Sequence, residues 1–455
     1  MNTSQTLACF AAGLNLADLP VHILENLNIR ILDYIASAAA GYSVNKSMNQ
    51  IVLNVVAKQC GQSQSSLLFS DKKMSAAQAA YCNAFICNGA DMDDGHMIAN
   101  GHPGVCVIPA VLALAEWRKI GFGDIAPAIA AGYEIFIRLS GAMMPSHLKR
   151  GFNGTGTSGT VAAAAAAARV LGLSAEQVHT AIGLAATSAS GLMELNESGQ
   201  AMKPVNPAKS AYNGVMCALF AEAGAVGPIA PLDGTKGYLK AFADEVDIQA
   251  ITKNLGTVYL MDTSYIKLYP ACRHMHAMVD CAAILNGRYR PDVKEIERII
   301  LYTYPSSGKL TGLIQYPASG DEAKFSLTYA SAIGLVSANF TLNDLYKAAD
   351  MSSEVKTLIE CMEIVVCPEL EDRASMKRGA RMELKMKDGR KLISEVEAPK
   401  GEKCFPLTKE DMRGKLRACA AGILNDKQQD AVFEMSMNFE KITDLSIMYS
   451  KIIPE

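Results

Sequence analysis

Apolar positions recur at the three- and four-residue spacing of a helix through most of the first 260 residues. The run at residues 159–171 is so rich in alanine that only a close approach between helices explains it. Ser174, followed three residues later by Gln177, has the form of a capping box, which marks a helix start. The pattern therefore predicts helices at Leu24–Ala40, Ala76–Ile86, Ile108–Arg118, Gly159–Leu171, Ser174–Ala189 and Asn206–Ala225.

The pattern changes near residue 290, where β-branched and aromatic residues become frequent. Strands are expected at Ile296–Tyr304 and Met362–Cys367. Arg381–Val396 alternates around Asp388-Gly389, which is a strong hairpin signal. Helices are expected between and after these strands, at Leu327–Val336, Leu342–Ala349, Lys409–Leu424 and Ala431–Ile447.

These elements indicate a mainly α protein with two domains, because 455 residues exceed one ordinary core. Residues 1–265 and 405–455 are expected to form a large all-helical domain. Residues 266–404 are expected to form a smaller α+β domain inserted between the two parts of the first.

Composition narrows the function classes. Half of the residues are hydrophobic and the net charge is −3, which gives no electrostatic case for nucleic acid as a partner. No run reaches the roughly 18 apolar residues that a membrane span needs. The N-terminus lacks a basic region of the secretory type, and the twelve cysteines form no CxxC pair. We therefore expect a cytoplasmic protein with mostly buried, reduced thiols.

One loop concentrates acid and base side chains: Asp91, Asp93, Asp94, His96 and His102 stand within twelve residues, directly before an apolar helix. Such density costs stability unless it serves a function. A divalent metal is one reading of the aspartates. The loop lacks the calcium-loop spacing and has no HExxH partner, so no metal is expected.

Three further segments place polar residues where helix packing does not require them. Arg150–Thr160, with Asn153 and Thr155, precedes the alanine-rich helix and suits either an anion or a simple threonine cap. Gly199–Ser210 contains Lys203 and Lys209, and Ile266–His276 contains Lys267, Arg273 and His274. Together these cations favour a di- or tricarboxylate ligand, while each alone is also compatible with a solvated lysine or a structural histidine.

The order of these segments resembles the MmgE/PrpD family over nearly the whole chain. The likeness rests on ADMDDGH, HPG and IPAVLALAE, then on GFNGTGTSGT, KPVNPAKSAYNG, KLYPACRHMHAMVD and EAKFSLTY. The family's activities include dehydration of 2-methylcitrate, decarboxylation of cis-aconitate and epimerisation of iminodisuccinate. The resemblance implies a homodimer of helical domains with α+β lids, working without metal or organic cofactor on a small polycarboxylate.

The resemblance also implies the site. Asp91, His102, Lys203, Lys267 and Tyr316 match the family's pocket residues. On this view His102 is the general acid/base and Asp91 orients it, while Lys203, Lys267 and Arg273 hold carboxylates. Tyr316 supplies a second proton-transfer group, and Asn153, Thr155, Asn206 and His274 contact the substrate.

Two positions depart from the family's pattern. Asn153 and Asn206 stand where the family has histidines, and an asparagine cannot exchange a proton near pH 7. The expected function is a cofactor-independent lyase, either a dehydratase or a decarboxylase. Two alternatives stay open: an epimerase or isomerase that moves a proton α to a carboxylate, and a catalytically degenerate paralogue that only binds carboxylates.

Overall fold

The structure, a computed structural model, describes residues 1–59, 61–197, 201–373 and 375–455, with only the backbone of residues 196 and 197. Cys60 and the first two residues of Gly199–Ser210 therefore lie outside the described residues. Helices account for 58% of the structure, and the small sheet region lies in the C-terminal part. The expectation of a mainly α protein is confirmed.

The helices fall into three groups along the chain. The first group is α1 (Thr3–Gly13), α2 (Val21–Val44), α3 (Lys46–Ala57), α4 (Ala76–Asn88), α5 (Gly104–Arg118), α6 (Phe122–Ala142), α7 (Ser146–Lys149), α8 (Gly154–Val170), α9 (Ala175–Ser188), α10 (Glu194–Glu197), α11 (Val205–Glu222), α12 (Tyr238–Phe242) and α13 (Ile248–Thr252). The second is α14 (His276–Tyr289), α15 (Pro305–Thr311), α16 (Gly320–Ala323), α17 (Leu327–Ser337), α18 (Leu342–Tyr346) and α19 (Ser353–Glu360). The third is α20 (Lys409–Ala420), α21 (Asp426–Met437) and α22 (Leu445–Lys451).

The chain divides into two compact units. Unit 1 comprises Met1–Gly89, Asp93–Tyr265 and Lys409–Glu455, and unit 2 comprises Ala90–Met92 and Ile266–Thr408. The loop rich in aspartate and histidine is thus divided between the two units: Asp91 belongs to unit 2, while Asp93 and His102 belong to unit 1.

Helix α8 forms the centre of unit 1, and all of its residues are buried. It packs against α6 and α11. A Cβ atom placed on Gly214 of α11 would come within 2.5 Å of the Ala163 methyl group, so the two helices approach too closely for larger side chains. This confirms the inference that the alanine run reflects close helix packing.

Unit 2 contains a four-stranded sheet in the order β4-β3-β7-β8. Strands β3 (Ile296–Thr303) and β4 (Met362–Val366) are parallel, whereas β7 (Ala380–Met386) pairs antiparallel with both β3 and β8 (Lys391–Val396). Two short pairs complete the strands: β1 (Ser65–Ser66) with β2 (Lys73–Met74) in unit 1, and β5 (Glu371–Asp372) with β6 (Lys377–Arg378) in unit 2. The predicted hairpin at Asp388-Gly389 is confirmed, and Gly389 adopts the positive φ of 87° that the turn requires.

Some expectations about the elements are wrong. Residues 431–447 do not form one helix, because the backbone leaves the helical region at Asn438 and Asp444 caps a new helix by accepting from the Ser446 amide at 2.8 Å. Unit 1 is not purely helical, since β1 and β2 pair, but two residues per strand are too few to give an alternating pattern. Helix α6 was not predicted. It contains Pro127, and it is buried on nearly all sides, so its sequence lacks the alternation of apolar and polar faces that indicates a helix.

The remaining features of the fold are the state of the cysteines and the hydropathy of the helices. Six of the eleven described cysteines are buried, and none of the eleven forms a disulfide. The exposed ones are Cys9 and Cys404. Among the described residues, no helix has the length and apolar character that crossing a membrane would demand.

Candidate active site

Asp94 anchors the loop before α5 in unit 1. Its carboxylate accepts from the Gly104 amide at 3.1 Å and the Tyr133 hydroxyl at 2.7 Å, and it pairs with Arg30 at 3.3 Å. A Cβ on Gly104 would lie 2.6 Å from Asp94 Oδ1, so only glycine allows this contact. Burial raises the pKa of Asp94, although Arg30 and Tyr133 act against that shift.

The ring of His102 is oriented by the same loop. Its Nδ1 lies 2.8 Å from the backbone carbonyl oxygen of Asp94 and 3.2 Å from Asp93 Oδ2. Because a carbonyl oxygen only accepts, Nδ1 carries a proton. The side chain is 15% exposed, whereas the Asp93 carboxylate is only 3% exposed. The site thus presents an imidazole ring that is held in one orientation, with a proton on Nδ1.

Asp93 has a larger part than the sequence indicated. The sequence analysis assigned the orientation of His102 to Asp91 and gave Asp93 no part in it. In the structure Asp93 Oδ2 faces the His102 ring, and its Oδ1 accepts from Asn88 Nδ2 at 2.8 Å. The side chain of Asn88, at the end of α4, thus fixes the carboxylate. Neighbouring aspartates in one loop gave no signal that separates these roles.

His96 stabilises the loop internally. Its Nε2 lies 2.8 Å from the Thr263 hydroxyl, and its Nδ1 is 3.1 Å from the Ala99 amide. Its backbone also pairs with Gly101 in an isolated bridge. These contacts agree with a supporting role rather than a chemical one.

The first turn of α8 connects to His102. The Thr155 hydroxyl accepts from the His102 amide at 3.1 Å, so Thr155 fixes the backbone of the histidine. Asn153 caps α8: its side-chain oxygen accepts from the Gly156 amide at 3.2 Å. Asn153 and Thr155 are both buried. The threonine cap considered in the sequence analysis is thus wrong in its residue, because the cap is Asn153.

Helix α11 brings further predicted residues to the start of α8. Asn206 is 2% exposed, and its Oδ1 would lie 3.0 Å from a Cβ placed on Gly156. Ser210 Oγ lies 3.0 Å from the carbonyl oxygens of both Thr155 and Gly156. Lys203 is half-buried in the turn that precedes α11. Lys209, one turn further along the helix, donates to the carbonyl and hydroxyl oxygens of Ser190.

Unit 2 holds Lys267 in a buried ion pair. Its Nζ lies 2.9 Å from Asp91 Oδ1 and 2.7 Å from the Asp91 carbonyl oxygen. The two side chains are 2% and 5% exposed. Asp91 has a φ of 54°, which is uncommon for a residue with a side chain and is tolerated by aspartate. The pair indicates a site whose geometry is fixed by charge.

Arg273 is held by several groups of the protein. Its guanidinium contacts Glu402 at 3.1 Å and the carbonyl oxygens of Ile266, Pro399 and Lys400. Its expected contact with substrate therefore gains no support from the geometry. Glu402 lies far from Arg273 in sequence, and no sequence signal marked it.

His274 and Tyr316 differ in their surroundings. His274 Nδ1 lies 2.7 Å from the hydroxyl of Tyr304, a buried residue that the sequence analysis did not single out. Burial, followed by the charges of Arg378 and Lys267, holds the pKa of His274 well below its usual value. Tyr316 is 45% exposed on unit 2. His274 is thus a neutral ring, while Tyr316 is open to solvent.

The same loop contains side chains that are suited to binding a metal ion. Asp93 and His102 in unit 1 and Asp91 in unit 2 are side chains of the type that ligate a divalent ion. The expectation that no metal or cofactor is used stays a prediction.

Comparison with known proteins gives a consistent result. A cis-aconitate decarboxylase of Aspergillus terreus is 26% identical to this chain, covering 96% of this chain and 93% of its own length. A cis-aconitate decarboxylase-like protein of Aspergillus oryzae is 25% identical over 100% and 98% of the two chains. The cis-aconitate decarboxylase of Homo sapiens is 24% identical over 98% and 93%.

The family comparison covers both parts of the chain. The MmgE/PrpD N-terminal domain matches residues 5–250, and the MmgE/PrpD C-terminal domain matches residues 269–441. The first of these matches alone spans more than half of the sequence. The chain therefore belongs to the MmgE/PrpD family.

Proposed function

We propose that this protein is a cofactor-independent lyase that removes water or carbon dioxide from a small di- or tricarboxylate of the methylcitrate or aconitate type. The observation that carries the proposal is His102, a partly exposed imidazole whose tautomer is set by the Asp94 carbonyl. The similarity to cis-aconitate decarboxylases along the chain supports the substrate class.

His102 is the proposed general acid/base. With the proton on Nδ1, its Nε2 accepts a proton from the carbon next to a carboxylate, or returns one to that carbon after carbon dioxide leaves. The imidazolium formed in the first case has the negative charge of Asp93 beside its Nδ1 edge. The Asp94 carbonyl keeps the ring in the same orientation through both steps.

The cations are the proposed groups for the negative charge that develops on the substrate. Loss of a proton or of carbon dioxide leaves an enolate-like carboxylate, which a fixed positive charge stabilises. Lys267 is fixed for this role in unit 2 by its contact with Asp91, and Lys203 is the corresponding candidate in unit 1. Tyr316 is the proposed second proton-transfer group.

The two asparagines favour a second candidate, an epimerase or isomerase. Asn153 caps α8 and Asn206 is buried, and the side-chain amide of each cannot exchange a proton near pH 7 as a histidine does. An epimerase moves one proton and needs no acid for a leaving group. The two functions therefore predict different fates for the substrate.

Proton NMR in deuterated water separates the candidates. The protein is incubated with cis-aconitate, 2-methylcitrate and a panel of other di- and tricarboxylates. A new olefin or loss of a carboxylate identifies the lyase, whereas deuterium in otherwise unchanged substrate identifies the epimerase. If every compound stays unchanged although some of them raise the melting temperature, the chain only binds carboxylates and the lyase proposal fails.

The double variant Asn153→His/Asn206→His sharpens the result. If the scaffold is intact and the departures set the substrate, the variant gains activity on cis-aconitate or 2-methylcitrate. The single variants are the controls, because Asn153→His also removes the α8 cap. The proposed homodimer is checked separately by analytical ultracentrifugation.

A further inference from the structure

Lys209 is a half-buried ammonium group that no carboxylate neutralises among the residues the structure describes. Its Nζ donates to the carbonyl oxygen and the hydroxyl of Ser190, both of which are neutral. A positive charge removed from water is costly unless an anion accompanies it. Burial accordingly lowers the pKa of Lys209 to about 8.

Asn206 lies one helical turn before Lys209 on the same face of α11. It is 2% exposed, and its Nδ2 has no hydrogen-bond acceptor among the described residues. A buried donor without an acceptor destabilises the folded protein. Among the described residues, Asn206 Nδ2 thus lacks an acceptor, and Lys209 lacks a carboxylate that would neutralise its charge.

Both side chains reach the same backbone segment. Lys209 contacts Ser190, and the next residue, Gly191, is the one whose added Cβ would lie 3.0 Å from Asn206 Oδ1. Gly191 has a φ of 145° and its carbonyl accepts from the Asn153 amide at 3.0 Å, so this segment is fixed beside the start of α8. Asn206 and Lys209 therefore converge on one place in unit 1, beside the helix turn that positions His102.

We propose that Asn206 and Lys209 form a subsite for one carboxylate group of the ligand. Nδ2 of Asn206 and Nζ of Lys209 donate to its two oxygens, in a place where the family's motif has a histidine. The inference rests on the proposed carboxylate substrate. It adds that α11 of this chain binds a carboxylate there and transfers no proton.

Calorimetric titration with two unreactive probes tests the subsite. Propane-1,2,3-tricarboxylate carries three carboxylates, and glutarate lacks the central one. Lys209→Met should weaken binding of the tricarboxylate about 10- to 100-fold at pH 7, the effect of losing one charge-assisted hydrogen bond. Asn206→Leu should weaken it by about 2- to 10-fold. Lys240→Met, which changes an exposed lysine of α12, is the matched control and should bind like the wild type.

The pH dependence separates charge from structure. Carboxylate binding by Lys209 needs the ammonium form, so wild-type affinity should fall as the pH rises from 7 to 9, through the pKa of about 8. Lys209→Met should lack this fall. Lys209→Gln serves as a second variant, and thermal melts confirm that each variant folds.

The proposal is overturned if Lys209→Met binds the tricarboxylate as tightly as the wild type, or keeps the same pH dependence. It is also overturned if the wild type binds neither probe at millimolar concentration. Because the probes do not react, these outcomes are independent of turnover. Binding that depends on Lys209 without turnover of any compound would reject the lyase and keep the subsite.

Discussion

The candidate residues of the two units carry their charges differently. In unit 2, Lys267 is paired with Asp91, and Arg273 is paired with Glu402, so each of these two buried cations has a carboxylate of the protein. In unit 1, Lys209 has only neutral partners among the described residues, and the ring of His102 lies beside Asp93. These two cations of unit 2 are thus neutralised within the protein, whereas Lys209 of unit 1 is not neutralised by any carboxylate of the described residues.

This difference changes how the cations are interpreted. A count of lysines and arginines in the sequence treats each as a clamp for substrate. A carboxylate that approaches Lys267 must instead share it with Asp91, which gives a weaker but better oriented contact. Lys209 on α11, in contrast, has only the neutral oxygens of Ser190 as partners among the described residues, so an external anion would not have to share it with a carboxylate of those residues.

The largest expected effect tests the proposed role of His102 in unit 1 as the general acid/base. His102→Gln should lower kcat about 10²- to 10⁴-fold on whichever carboxylate the NMR assay identifies, because the amide cannot take up a proton. His22→Gln, on the exposed part of α2, is the control and should keep full activity. Steady-state kinetics measures both variants. A His102→Gln enzyme with normal kcat would remove the assignment.

The next largest effect tests the ion pair between Lys267 and Asp91 in unit 2. Lys267→Met should lower the free energy of unfolding by about 3–5 kcal/mol, because the Asp91 carboxylate is left buried without its cation. The double variant Lys267→Met/Asp91→Asn should recover part of this loss. Urea denaturation measures both. Equal stability of Lys267→Met and the wild type would show that the ion pair is not the fixed element described above.

A second histidine sharpens the contrast within unit 1. His147 is fully buried, with Nε2 2.8 Å from the Thr157 hydroxyl, and burial lowers its pKa to about 4. The unfolded chain binds the proton near the ordinary pKa of 6.5, so stability is full above that pH and falls as the pH drops towards 4.

His147→Gln should therefore reduce the difference in unfolding free energy between pH 7 and pH 5 by about 2 kcal/mol. Denaturation curves at both pH values measure it. An unchanged difference would mean that the buried ring is protonated in the folded state. His22→Gln again provides the reference.

The smallest effect concerns the α8 cap. Asn153→Ala should lower stability by about 1 kcal/mol, because the Gly156 amide loses its acceptor. Asn153→Asp keeps an acceptor and should retain most of the stability. Thermal melts compare the two. If Asn153→Ala is as stable as the wild type, the cap contributes nothing to stability, and the structural role assigned to Asn153 fails.

The sequence predicted elements better than contacts. Helical spacing, the capping box at Ser174 and the Asp388-Gly389 turn are local signals, and each corresponds to an observed element. The division of roles among Asp91, Asp93 and Asp94 was not predictable, because it depends on partners such as Lys267, Asn88 and Tyr133. The ion pair of Arg273 with Glu402 joins distant positions, and no periodicity reports such a pairing.

Asp94 also determines when activity can arise during folding. Its carboxylate unites residues of α2, α5 and α6, while its carbonyl orients His102. Because Arg30 and Tyr133 are distant from Asp94 in sequence, we expect the loop to orient His102 only after α2 and α6 have docked. Recovery of turnover after dilution from urea should therefore follow the slowest docking step of unit 1 and lag behind the return of helical circular dichroism.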